Sequence, residues 1–191
     1  MKFLILILFS LVSVLQGRAQ TADFLITTNP EAVILYNTYQ QRIPELRRRQ
    51  FPSNTPWRIL ERSTFLSDQF TPVMRVEHDN DTYFIELDAG GEPRAMEGYP
   101  DPGYRFFRNC TIQTDTLQIT QADKIALRDA AEGGDVITLL NRDMLLQTVF
   151  SYRNFLYVHT MERTIRYGWI KKSQSVFWEK VEGNIDNASS Q

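Results

Sequence analysis

Ile125-Ala126-Leu127-Arg128, Asp135-Val136-Ile137-Thr138-Leu139-Leu140, Met144–Thr148, Asn154-Phe155-Leu156-Tyr157-Val158 and Tyr167-Gly168-Trp169-Ile170 follow one another in a single stretch of the chain. Each is a short run rich in β-branched, leucine and aromatic side chains, the composition of a strand that packs on a pleated, half-buried surface. Gly133-Gly134 and Ser151-Tyr152-Arg153 supply turns between them. Local propensity contests the start of the stretch. Thr120 and Asp123, an alanine-rich segment to Glu132 and then Gly133 form a helix signature with an N-cap and a C-cap.

In order and content these segments resemble the bacterial Src-homology-3 domains, small barrels attached to many cell-wall enzymes. Ile125-Ala126-Leu127-Arg128 matches that family's Leu-x-Arg-like opening, and Val136–Leu140 its Val-Ile-x-x-Leu strand. Phe155–Val158 matches the aromatic-x-x-Val strand, and Gly168-Trp169-Ile170 the closing Gly-Trp-Val/Ile. Ala130-Ala131-Glu132 departs from the family, which has a Gly-Pro-type turn there. The resemblance implies a barrel, and with it a strand over 124–128 in place of the helix. Physically, Gly168 would let a neighbouring strand approach closely and Trp169 would fill a small core.

Working outward, residues 32–87 look like a fainter copy. Val33-Ile34-Leu35-Tyr36 aligns with the opening, Trp57–Leu60 with a middle strand and Val73–Val76 with the penultimate one. Tyr83-Phe84-Ile85 stands where Gly-Trp-Ile would close the barrel. Asp79-Asn80-Asp81 reads as a hairpin turn, and Asn29-Pro30-Glu31 could open a helix. Between the copies, Gly90, Gly91, Pro93, Gly98, Pro100, Pro102 and Gly103 crowd one short stretch, the punctuation of a linker. The expected architecture is mostly β, with two small Src-homology-3-like (SH3-like) β-barrels in tandem. One spans 20–88 and the other 104–182, joined by a Gly/Pro-rich linker at 89–103. The polar end, 183–191, is expected to be a disordered tail.

The chain opens as a secretory signal peptide over 1–19. Lys2 is followed by an apolar run, Phe3–Leu15, and then by Gln16-Gly17-Arg18-Ala19, with small residues at 17 and 19 for cleavage after Ala19. That run is shorter than the about 20 residues a spanning helix needs, and no later segment is long and apolar enough to cross a bilayer. The expected location is therefore secreted or periplasmic, without membrane insertion. Loss of Lys2 and Arg18 with the leader leaves 19 of the 21 basic residues against 23 acidic ones, a charge of −4. That balance argues against nucleic acid as a partner. Arg47-Arg48-Arg49 is the longest basic run and is expected on a solvated loop or helix edge.

Cys110 is the single cysteine, so no intramolecular disulfide can form. A small buried core residue is favoured over an intermolecular disulfide. It leads into a strand-like run and not a helix N-terminus, which disfavours an activated thiolate. His78 and His159 have no metal-ligand spacing, and phosphate-binding and nucleophile-elbow motifs are missing. Glu86 and Asp88 would share a face at a strand end, as solvated pairs often do. No catalytic residue, metal or cofactor is expected. Trp169 is expected in the core, and the candidate ligand contacts are aromatics on loops or the outer face: Tyr152, Tyr157 and Tyr167. The resulting expectation is an exported, non-enzymatic binding protein. By resemblance its ligand would be peptidoglycan, as cell-wall glycan or peptide, or another envelope component. An interaction or structural adaptor contacting an envelope protein is the alternative.

Overall fold

Strand β1 (Thr21–Thr27) has both faces covered, and that decides the architecture. Alternation along a strand sends successive side chains to opposite faces. Leu25 enters a core with Val33, Leu35, Trp57, Met74, Val76 and Ile85. Phe24 and Ile26 enter another with Cys110, Phe150, Tyr157, Tyr167 and Trp169. A strand whose two faces serve two cores has to be internal, and β1 pairs antiparallel on both edges, with β3 (Thr55–Phe65) and with β6 (Tyr104–Thr120).

The computed structural model describes residues 20–67, 70–99 and 103–178. The expected leader at 1–19 and the expected tail at 183–191 lie outside the described residues. The chain is mostly β, and its strands form one open antiparallel sheet. The remaining strands are β2 (Leu35–Tyr36), β4 (Pro72–His78), β5 (Asp81–Glu86), β7 (Ile125–Arg128), β8 (Val136–Leu140), β9 (Leu145–Tyr152), β10 (Phe155–Thr160), β11 (Tyr167–Lys171) and β12 (Ser175–Phe177). The order across the sheet is β2-β5-β4-β3-β1-β6-β9-β10-β11-β7-β8, with β12 on β6.

The same succession of pairings occurs twice. In the first half β1 pairs β3, β3 pairs β4, β4 pairs β5 and β5 pairs β2. In the second, β6 pairs β9, β9 pairs β10, β10 pairs β11 and β11 pairs β7. Corresponding strands begin at nearly constant spacing, Leu35 and Ile125, Thr55 and Leu145, Pro72 and Phe155, Asp81 and Tyr167. β6 serves both halves. Its first part, from Tyr104, lies on β1, and its last part lies on β9 and β12. Within the β1-paired part, at the bulge between the Phe24–Phe107 and Ala22–Cys110 pairs, Asn109 adopts φ 54°, a left-handed value asparagine tolerates, and its N–H donates to the Asp23 carboxylate at 3.0 Å.

The Gly/Pro-rich segment is tied to the first half as far as the described residues go. Ala95 bridges Val33 and Pro93 bridges Leu87, while the N–H of Met96 donates to Ala32 O at 2.9 Å. Arg94 forms an ion pair with Glu86 at 2.6 Å, and the Tyr36 hydroxyl donates to the other Glu86 oxygen at 2.7 Å. Glu86 is thus buried and partnered, which corrects its expected place in a solvated carboxylate pair.

Two local expectations meet their tertiary context. Residues 125–128 form strand β7, because Leu127 and Ile125 pack with Leu140, Leu146, Leu156, Val158 and Ile170; this burial outweighs the helix propensity of the segment. Asn29-Pro30-Glu31 does open a helix, though only a single 3-10 turn over Pro30–Ala32. The arginine run divides. Helix α1 (Glu45–Arg48) places Arg48 at 2 % exposure, with Nε donating to Glu31 O at 3.0 Å and an Nη to Ile43 O at 2.7 Å. Arg48 is therefore a buried clamp on the 3-10 turn, a correction to the solvated-edge expectation, while Arg49 is exposed and pairs with Glu31 at 3.3 Å.

Candidate functional site

The two halves meet over a pocket of about 380 Å³. Its walls come from β1, β3, β4, the β4–β5 turn, β6, β9, β10 and β11, so neither half alone could form it. The turn is the hairpin expected from Asp79-Asn80-Asp81, made by the two residues Asp79 and Asn80. Both residues have positive φ, 49° and 66°, the backbone that Asn and Asp accept most readily among non-glycine residues. It is closed by the His78–Asp81 pair.

His78 and His159 flank Tyr167 at this pocket, with ring centroids 6.1 Å and 5.3 Å from it. Register alone places His159 there, directly opposite Tyr167 in the β10–β11 pair. His78 is buried against Trp57 and Phe51, at 5.2 Å and 5.8 Å. Its Nδ1 lies 3.0 Å from Pro56 O, an acceptor, so Nδ1 carries the proton and Nε2 faces the Asp79 carboxylate at 3.4 Å. Burial holds the His78 pKa below its ordinary value of 6.5, and the charge of His159 pushes the same way, whereas Asp79 opposes both.

The other charges at the pocket are paired. Arg58 meets Glu77 across β3–β4 at 3.3 Å, which leaves a lining of mixed polarity with the Asp79 carboxylate beside His78. Thr148 is buried there and its hydroxyl has no hydrogen-bond partner among the described residues. Gln147 and Asn80 add further amide donors and acceptors. A wall with both polarities, a phenol and the Phe24 ring can orient a polar small molecule or chain end.

Of the three sequence candidates, Tyr167 alone lines this pocket. It is 4 % exposed, and Tyr157 is 0 % exposed, which corrects their expected place on an outer face. The reason is that β10 and β11 are internal strands with cores on both sides. Tyr157 stacks on Phe150 at 5.0 Å and Tyr167 on Tyr157 at 6.3 Å. Tyr152 is half-buried at the β9–β10 hairpin, with the Arg153 guanidinium 5.1 Å over its ring, away from the pocket. Trp169 fills the core as expected, in contact with Phe107 and Tyr157 at 4.9 Å and 4.8 Å.

Phe24, Arg58, Gln147 and Thr148 escaped the sequence reading. They carry no motif, and they converge because β3, β1, β6 and β9 pair in the observed register. The two histidines were legible as residues but not as neighbours. Cys110 is buried as a free thiol between β1 and the aromatic cluster, and burial pushes its pKa up to about 12. That is the opposite of what an attacking thiolate needs. Among the described residues, no group of three or more His, Cys, Asp or Glu side chains is arranged to hold a metal ion.

No family model matches the chain, and no curated protein matches it. Among solved structures it aligns with NlpC2 from Trichomonas vaginalis at a TM-score of 0.29 and 13 % identity, over 88 % of this chain and 52 % of that one. The chain therefore spans about half the length of that structure. A likeness at this level assigns neither activity nor ligand to the chain. No helix among the described residues is long and apolar enough to cross a membrane.

Proposed function

We propose that this chain is an exported, non-enzymatic binding protein of a bacterial periplasm or cell exterior, built from two Src-homology-3-like barrels and recognising peptidoglycan or another envelope component. The observation that carries the reading is the pocket at the junction of the halves. Its size falls within the roughly 300–1,000 Å³ of small-ligand sites, and its lining is mixed in polarity. The repeated pairing order supports the two-barrel reading, with β6 shared between the units. The buried thiol of Cys110, remote from an activated state, supports binding over covalent chemistry. Peptidoglycan enters through the resemblance of 125–170, and a hydrogen-bonding lining of mixed polarity is compatible with its glycan or its peptide.

The test is co-sedimentation of residues 20–191 with purified sacculi at moderate salt. Saturable binding that survives salt, weakens in Gln147→Ala and Asn80→Ala and persists in Cys110→Ser is expected. A folded protein that stays in the supernatant, or binding indifferent to both pocket variants, would overturn the reading.

A second reading, an adaptor docking on an envelope protein, is favoured by one observation. Gln40 Oε1 accepts from the Ser67 N–H and hydroxyl at 2.9 Å and 2.6 Å, joining two turns that carry the exposed rings of Tyr39, Phe65 and Phe70. Loss of envelope-protein capture in Phe65→Ser and Phe70→Ser, with sacculus binding absent, would select it.

A further inference from the structure

We infer that the second half carries a separate site for a carboxylate group, on one face of β7 and β11. Register assembles it. Trp169 lies directly opposite Arg128 in the β7–β11 pair, and Lys171 lies directly opposite Phe155 in the β10–β11 pair. Directly opposed residues share a face, and so do residues two apart on a strand. Arg128, Trp169, Lys171 and Phe155 therefore project together. They wall a pocket of about 450 Å³, overhung by the 131–133 turn and bounded by Gln174. It shares no residue with the pocket at the junction of the halves.

The chemistry of the walls is one-sided. Trp169 is 1 % exposed and its indole N–H, a donor only, has no hydrogen-bond partner among the described residues. Arg128 gives one Nη to Gly134 O at 2.6 Å and keeps the rest of its fork. Lys171 is exposed at the rim. Gln174 has its side-chain oxygen engaged by the Lys171 N–H at 2.9 Å, which leaves its amide N–H₂ as the group on offer. The acid at the rim, Glu132, is engaged by Arg153 at 3.8 Å. Donors and positive charge predominate, so a matching ligand brings acceptors and negative charge. An arginine fork takes a planar carboxylate through charge-assisted N–H···O bonds, and the indole N–H can add one more to the same group. Phe155, Ala126 and Ala131 offer apolar contact to a short aliphatic group beside it.

The carboxylate could belong to a free small acid or to the end of a peptide, and the experiment separates these. The probes are acetate, N-acetyl-alanine and inorganic phosphate, added at constant ionic strength while the indole N–H signals of the ¹⁵N-labelled protein are recorded. Trp169→Phe assigns the signal. Trp57, whose indole N–H already donates to the Thr27 hydroxyl at 2.9 Å, is the internal control. A saturable downfield shift confined to Trp169 is expected with both carboxylates. Tighter binding of N-acetyl-alanine assigns a peptide end, and tighter binding of acetate a free acid. Arg128→Lys keeps the charge and loses the fork, and should weaken binding about tenfold, the scale of one lost charge-assisted hydrogen bond. Lys171→Gln, at the exposed rim, should weaken it less. A linear response, an equal shift of Trp57, or unchanged affinity in Arg128→Lys would overturn the site. Phosphate binding as tightly as acetate would overturn the carboxylate assignment.

Discussion

The Tyr157 hydroxyl, on β10 of the second half, donates to the backbone carbonyl of Asn54, just before β3 of the first. Both residues are buried, and Asn54 holds φ 64° at this contact. The hydrogen bond ties the turn that launches β3 to the aromatic cluster formed by β1, β9, β10 and β11. Tyr157→Phe keeps the ring and its stacking but leaves the Asn54 carbonyl unpaired. A loss of about 1–3 kcal/mol is expected, the cost of an unsatisfied buried acceptor. Urea denaturation checks it, and the transition should remain single because the cluster spans both halves. Unchanged stability, or two separated transitions in the parent protein, would contradict this account.

Gly168 is set by space. A Cβ added there would lie 2.7 Å from Leu127 Cγ and 2.8 Å from Arg128 O, and the second of these is backbone that cannot rotate away. Gly168→Ala should push β7 off β11 and cost roughly 1–3 kcal/mol, in the range of overpacked cores. Thermal unfolding followed by tryptophan fluorescence measures the loss. A neutral outcome would mean that β7 can shift freely.

Acid should weaken the fold through His78. Its pKa in the folded state is lowered by burial, then by His159, against the pull of Asp79 and Asp81. As pH falls through about 6.5, the unfolded chain takes up a proton that the folded chain accepts only at lower pH. The stability contributed by neutral His78 is therefore complete above that value and is lost as pH falls through the folded-state pKa. Urea midpoints at pH 7.5 and pH 5 should differ, and His78→Gln should reduce the difference. Asp23, held below its ordinary 3.8 chiefly by its hydrogen bond from Arg62, gives up its share only in stronger acid. Equal pH slopes in His78→Gln and the parent would contradict the assignment.

How much could be read in advance follows from the range of each interaction. The strands from Trp57 to Leu87 and from Leu145 to Ile170 were legible because composition and alternation are local properties. The Asp79-Asn80 turn was legible because two residues suffice to set it. At 125–128 local propensity pointed to a helix, and burial of Ile125 and Leu127 in the second core decided otherwise. Arg48 was misplaced since nothing nearby in sequence announces that the carbonyls of Glu31 and Ile43 converge on its guanidinium.

The sequence by itself determined a mostly β chain with a duplicated order of strand segments, a core tryptophan beside a spacing glycine, and a cysteine without a partner cysteine. Tertiary structure alone decided that β1 lies between β3 and β6, that Tyr157 and Tyr167 face inward, and that His78, Tyr167 and His159 meet at one pocket. The division has one physical cause. Strand character depends on residues a few positions apart, whereas the face a residue shows depends on register with strands tens of residues away, and a shift of one position reverses every side chain.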